Sequence, residues 1–428
     1  MATALMIGVL ILLMPLRVPV CAAMGLSAIV GLAMLDMPFN TLVRYMATDV
    51  RSVPLLAIPF FVLAGNMMNQ FGMTRRIFNF LEVVVGYFSG GLAQVAVLAA
   101  MVFGGISGSA LATIAGLGII TVHAMRTAGY RPEFAAALVV AASLMDPLIP
   151  PSIMFIIYAV QMNVSIADLF IAGVIPGILL GVLLMANNAV LVKFKIEQAP
   201  PAVAPSLERL KTTFLQGFPA LLTPIIILRS MTTGLVTPTE ASVLAVLYTL
   251  LLGVIHREIT WERLVASFEE STRATALIMF LTALGTVMGF VMTSERAAEL
   301  MANWMVSFTD SRYVVLALVV LALLVMGIFL EAIPVMLIAV PLFGPLVVSY
   351  GVDPVHFGVV LTFAILLGIV HPPIGLGIFA VCAITRLRME PVVRATLLFY
   401  PVFVLCLLLL MFIPALSTWL PRLLLKHP

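Results

Sequence analysis

Apolar residues run along this chain in stretches too long for a strand and too unbroken for the single stripe of an amphipathic helix. LVVLALLVMGIFL (318–330) and LLFYPVFVLCLLLLMFI (397–413) are two of many. A helix that crosses a bilayer needs about 20 mostly apolar residues, and the pattern predicts roughly ten to thirteen such segments. The first 20 residues, MATALMIGVLILLMPLRVPV, lack a basic leader and a small-residue cleavage site. They read as a retained first helix rather than a removed signal peptide.

One polar interruption stands out. KFKIEQAPPAVAPSLERLK, from Lys193 to Lys211, mixes charges with a Pro/Ala-rich stretch that no membrane core accepts. It divides the chain into halves whose backbone punctuation repeats. Gly105 and Gly327, Gly129 and Gly351, Pro132 and Pro354, Pro150 and Pro372, and Pro151 and Pro373 are each 222 positions apart. Side-chain identity over the same stretch is thin, so what recurs is the placement of residues that bend or free the backbone.

Loop charges give the sense of the repeat, because cytoplasmic loops are enriched in Lys and Arg. The loop RTAGYRPE carries Arg126 and Arg131, whereas its counterpart SYGVDPVH carries Asp353 and no Lys or Arg. After the Pro-Pro segments the bias reverses: QMNVSIAD has no basic residue, and TRLRMEPVVR has Arg386, Arg388 and Arg394. The halves are therefore expected to be inverted in topology, although Arg44, Arg51, Arg229 and Arg296 weaken the count. The predicted fold is an all-α polytopic membrane protein of inverted repeats, with two re-entrant helical hairpins and Pro-broken helices. Residues 1–50 form N-terminal scaffold helices. Residues 51–192 form the first repeat, with hairpin 1 at about 90–127 and a broken helix at about 132–160. A cytoplasmic linker (193–212) and scaffold helices (213–272) follow. The second repeat spans 273–415, with hairpin 2 at about 312–350 and a broken helix at about 355–385, before a tail at 416–428.

The candidate chemistry sits at the interruptions. GGISGSALATIAG (104–116) is too rich in Gly, Ser and Thr to continue a membrane helix, and too short for an external loop. It reads as a hairpin tip. Non-helical backbone at membrane depth survives only buried in protein or facing a wet cavity. Ser107, Gly108, Ser109 and Thr113 would offer hydroxyls, close-approach backbone and the amides of a half-helix start, which favour an anion. Carbonyls released before the break suit a small cation. Alternatively, these small residues simply let two helices pack closely. The partner stretch GIFLEAIPVM places Glu331 opposite Ser109 at the same offset. An ionisable group there can cap a half-helix, coordinate a cation or pair with backbone amides.

DPLIPPSIMF and IVHPPIGLGIF break two further helices, making Pro150, Pro151 and Ser152, and Pro372, Pro373 and Gly375, the next candidates. Asp146 and His371 flank these breaks; they either hydrogen-bond exposed backbone or couple ions or protons. Candidate cation ligands are Ser107, Gly108, Gly327, Glu331 and Gly368.

Composition narrows the class. The 428 residues are 63% hydrophobic and 10% charged, with a mean hydropathy of +1.21. A soluble domain carries about a quarter charged residues. The net charge of +3 sits mostly in short loops and argues about membrane orientation, not nucleic acid. Cys21, Cys382 and Cys406 lie in apolar runs without metal spacing and read as packing residues. Trp261, Trp304 and Trp419 stand beside polar flanks as interfacial anchors, while WERLVASFEE and the stretch from Glu299 to Asp310 read as amphipathic surface helices. Gly105-Ile106-Ser107-Gly108 matches the GxSG pattern of an intramembrane serine protease, with His123 or His371 as the base. A hydrolase, however, gives no reason for one half to echo the other.

At these residues the chain resembles the large membrane subunit of the tripartite ATP-independent periplasmic (TRAP) transporters, the DctM-like permeases. The resemblance covers essentially the whole chain. It rests on FFVLAGNMM (60–68), GISGSALA, AGY (128–130), PLIPPSI (147–153), GLVTPTEA (234–241), GIFLE, GVDPVHFG (351–358) and PPIG. It implies a non-enzymatic, multi-pass protein of the bacterial inner membrane. The implied mechanism is a sodium-coupled elevator, in which a transport domain holding both hairpins slides against a scaffold. It also implies a small DctQ-like membrane subunit and a periplasmic DctP-like protein that delivers an organic acid such as a C4-dicarboxylate or sialic acid. No cofactor is expected besides sodium as coupling ion, with protons an alternative. The chain departs from the family pattern at Thr113 (commonly Asp), Asp146 (usually Gly), Ala364 (usually Asn) and His371 (usually Thr), all in or beside the proposed site.

Overall fold

The computed structural model describes residues 1–428 except 15, 17, 89, 199–206, 373, 374 and 426–428, with the side chains of 49 and 207 also left out. The first half comprises α1 (Ala2–Leu13), α2 (Val20–Met34), α3 (Asn40–Val50), α4 (Ala57–Gln70), α5 (Met73–Val85), α6 (Gly91–Ser107), α7 (Ala110–Thr127), α8 (Pro132–Ser143), α9 (Ile153–Met162) and α10 (Ile166–Lys193). The second comprises α11 (Leu207–Thr232), α12 (Pro238–Ile255), α13 (Trp261–Ser294), α14 (Ala297–Val306), α15 (Arg312–Phe329), α16 (Ala332–Ser349), α17 (Pro354–Leu367), α18 (Leu376–Thr385), α19 (Met389–Thr396), α20 (Tyr400–Phe412) and α21 (Ala415–Leu424). Among the described residues nine helices are long and apolar enough to cross a membrane, and shorter apolar helices of 10–17 residues accompany them. The shorter ones arise because the chain is cut where the Gly and Pro residues stand.

The 222-residue offset is visible in the helix boundaries. Shifted by it, α7 coincides with α16 residue for residue, α8 begins where α17 begins, and the end of α6 falls on the end of α15. The long α10 has its counterpart in α19 and α20, and α3 with α4 fuse into the 34-residue α13. This fusion overturns one reading: WERLVASFEE is not a separate surface helix but the opening of α13. Its Ser267 and Ser271 are buried, and Ser271 Oγ accepts from Asn66 Nδ2 of α4 at 2.9 Å. Within the stretch itself only Ser267 is buried and Glu262, Glu269 and Glu270 are exposed, so the polar residues lie on an open face of α13, and nothing in the stretch breaks the backbone ladder.

Burial separates the helices into two kinds. In α8 every residue from Phe134 to Ser143 is buried, and in α17 every residue from His356 to Leu367. A helix apolar on all sides belongs in the centre of a protein. By contrast α12 exposes Leu244, Leu247 and Leu251, and α15 exposes Leu318, Leu321 and Val325, as lipid-facing helices do. Trp261, Trp304 and Trp419 are also largely exposed. The described start of the linker is pinned: Glu197, buried, accepts from the backbone N of Arg131 at 2.9 Å and from its Nε at 2.6 Å. The three cysteines are free thiols.

Candidate functional site

Helix α6 ends because Gly108 turns left-handed (φ +60°), its N–H donating to the Gly104 carbonyl at 3.0 Å. Ser109 is extended and starts α7, its carbonyl accepting from Thr113 N at 3.1 Å. The Ser109 N–H reaches Ser107 Oγ at 3.4 Å, and Ser107 Oγ lies 3.5 Å from Thr113 Oγ1. Side chains thus meet across the break where backbone bonds cannot. Space as well as φ demands glycine at 108, because a Cβ there would overlap the Pro151 carbonyl.

The broken helix beneath this tip is organised by Ser152. Its buried hydroxyl donates to the Pro147 carbonyl at 2.6 Å and accepts from Phe155 N at 3.2 Å, so it closes the Pro-rich turn and caps α9 together. Pro150 and Pro151 are buried within that turn. Asp146 lies just before it, 0% exposed, with neither carboxylate oxygen in hydrogen-bond geometry. The Thr113 hydroxyl faces it.

The second half repeats the arrangement with different side chains. Leu330 and Glu331 are extended between α15 and α16. Glu331 is half-buried and does not cap α16 with its side chain. Helix α17 tightens into a 3-10 turn over Gly368–Val370, which packs on α15 so closely that a Cβ at Gly368 would stand 2.6 Å from Gly327 Cα. Gly375, left-handed at φ +42°, starts α18. His371 is half-buried, with Nδ1 2.6 Å from the Pro372 carbonyl. Pro373 lies outside the described residues.

The two breaks meet. Gly108 and Ser109 of one tip, Glu331 and Ala332 of the other, and Pro147 and Ile369 of the two broken helices line one cavity of about 70 Å³. His371, Pro372 and Gly375 are not among its lining residues, and no hydrogen bond or ion pair joins His371 to Asp146. The protease constellation is not assembled either: His123 is exposed on α7, and the ring bond of His371 goes to Pro372. Two participants escape sequence reasoning. Gly65 of α4 packs on the Ser107 backbone, where a Cβ would come within 3.1 Å of Cα, and Gly104 packs on Asp146. Glycines spaced within apolar helices are the available signal, but they do not name the partner helix.

The sequence profile described as "DctM: Tripartite ATP-independent periplasmic transporter, DctM component" matches residues 7–416. The chain belongs to this family. Among relatives of the DctM component, the sialic acid TRAP transporter large permease SiaM of Vibrio cholerae is 36% identical over 410 residues, covering 94% of this chain and 95% of that one. The C4-dicarboxylate TRAP transporter large permease DctM of Pseudomonas aeruginosa is 35% identical over 369 residues, 86% of each. The YdaH transporter of Alcanivorax borkumensis shares the fold, with a TM-score of 0.63 at 16% identity over 100% of both chains. The chain is accordingly a multi-pass transporter permease of the bacterial inner membrane rather than an enzyme.

Proposed function

We propose that the chain is the membrane permease of a secondary active importer, driven by sodium, that takes up a small organic acid handed over by a periplasmic binding protein. The observation that carries this reading is the cavity between the two backbone breaks, lined by Ser109 from one half and Glu331 from the other. Broken half-helices that face each other from two repeats are the arrangement in which transporters bind solute and ion. In this reading α6–α7 and α15–α16 are re-entrant hairpins of inverted repeats that move together as a transport domain. The starts of α7 and α16 hold the anion with their free amides. Oxygens at the breaks (Ser107, Gly108, Gly327, Glu331 and Gly368) hold sodium. Relatives named for sialic acid and for C4-dicarboxylates support a carboxylate substrate and a system that includes a small permease and a binding protein.

The test is uptake into proteoliposomes containing the chain and its small membrane subunit, with the binding protein outside. N-acetylneuraminate and succinate serve as probes under an inward sodium gradient. Accumulation above the outside concentration that needs both sodium and the binding protein is expected. Equilibration without either marks a passive channel and overturns the proposal.

A further inference from the structure

The two halves provide an internal control on what the fold requires. At the 222-residue offset Asp146 corresponds to Gly368, and Thr113 corresponds to Val335. Asp146 and Gly368 each lie against a glycine near the end of the preceding helix, one residue out of register, since Gly327 corresponds to Gly105 and not to Gly104. Gly368 lies against Gly327, and Asp146 lies against Gly104, where a Cβ would stand 2.7 Å from Asp146 Cα and 2.5 Å from its Oδ1. The second half makes a close helix approach of the same kind with glycine at 368 and an aliphatic residue at 335. The carboxyl and hydroxyl of the first half are therefore not demanded by helix packing.

A carboxylate ion with no partner inside a membrane protein is strongly disfavoured. Among the described residues Asp146 has no counter-charge. Helices α6 and α9 contain no charged residue. The ionisable groups of α7 are His123 and Arg126, more than two turns beyond Thr113; Glu133 stands at the start of α8; Asp168 and Lys193 stand at the two ends of α10. Arg229 is in the last turn of α11, whose Pro224 packs on Gly105. A metal ion is no better placed to neutralise it. Hard cations gather about six oxygens, whereas both Asp146 oxygens are sealed from solvent without a hydrogen-bond partner among the described residues, and the cavity stops at Pro147.

We propose that Asp146 is a proton-binding residue of the transport cycle, neutral in the conformation described here and facing the Thr113 hydroxyl. The chemistry is proton exchange with water. The carboxylate takes a proton from hydronium when the turn at Pro147–Pro151 is hydrated, carries it while sealed against Gly104, and returns it to water on the other side. This deepens the reading of the chain as an ion-coupled importer and rests on it for the coupling, though not for the protonation.

Infrared spectroscopy of the purified full chain at neutral pH tests the protonation without any transport. A carbonyl stretch of a protonated carboxylic acid is expected in the wild type, lost in Asp146→Asn, retained in Glu331→Gln, and shifted but present in Thr113→Val. Asp146→Gly, which installs the residue the second half uses, serves if the asparagine variant misfolds. A wild type without the band, or a band unchanged in the Asp146 variants, overturns the proposal. In the proteoliposomes described above, an acid-outside pH gradient with sodium equal on both sides is expected to drive uptake by the wild type. In Asp146→Asn the ratio of pH-driven to sodium-driven uptake falls to background. An equal ratio in both proteins overturns the coupling. A wild type with no sodium-driven uptake overturns the importer reading instead, and leaves the infrared result to judge Asp146.

Discussion

At the scale of single residues, the site is held by close backbone approaches and one doubly used hydroxyl. Gly108 is required twice, by its left-handed φ and by the Pro151 carbonyl against it. Replacing it with alanine costs roughly 1–2 kcal/mol in conformation alone, before the overlap is relieved. Gly108→Ala is therefore expected to lower the thermal unfolding temperature in detergent and to reduce uptake; wild-type values for both would show that the tip does not pack as described. Ser152→Ala removes a bond to the Pro147 carbonyl and the cap on Phe155 N, at a cost of about 1–2 kcal/mol. Because both bonds belong to the turn that lines the cavity, uptake should fall along with stability. An Ala variant that loses stability but keeps full uptake would reduce Ser152 to a cap.

At the scale of helices, ties at the ends matter because so much of each helix is uniformly apolar and slides without polar registration. Glu258, between α12 and α13, accepts from Arg76 of α5 at 2.6 Å and from Arg263 of α13. Hydrogen bonds from Arg263 first, and from Arg76, hold its carboxyl below the ordinary value of 4.5. A depressed folded value means that this contribution is fully present above pH 4.5 and is lost as pH falls through the lower folded value. Glu258→Gln should accordingly lower stability at neutral pH and flatten its decline in acid below that point, as read by thermal unfolding across a pH series. Parallel curves for variant and wild type would remove Glu258 from the account. The partly exposed position of the group keeps the expected effect small.

At the scale of the whole molecule, the two halves pack along whole helices, α4 against α12 and α13 and α5 against α11, and they also meet at their interruptions. Ser109 and Ala332, 223 positions apart, line the same cavity. In a background with Cys21, Cys382 and Cys406 replaced, a short bifunctional thiol reagent should cross-link Ser109→Cys to Ala332→Cys within one chain and arrest uptake. Ser109→Cys paired with Trp419→Cys, an exposed position outside the cavity, should not cross-link. Cross-linking of both pairs, or of neither, would deny the cavity its specificity.

Much of this was legible in the residues. Long apolar runs dictate membrane helices because backbone amides in lipid must be paired within the segment. The glycines and prolines at the breaks mark where those helices stop, because Gly108 is left-handed and a Pro-Pro pair withholds two amide donors, although Pro176 and Gly177 lie inside α10. The 222-residue spacing therefore carried over directly into coincident helix ends. What each break touches was decided only in three dimensions. The sequence places Asp146 and His371 alike beside a Pro-Pro pair, yet the fold seals one against Gly104 and leaves the other half-buried over its own Pro372 carbonyl. It also turned WERLVASFEE from a surface helix into the start of α13. Local chemistry fixes whether a backbone can go on. The environment of a side chain is set by helices distant in sequence, whose packing of nearly uniform apolar faces leaves no mark in the pattern of either partner.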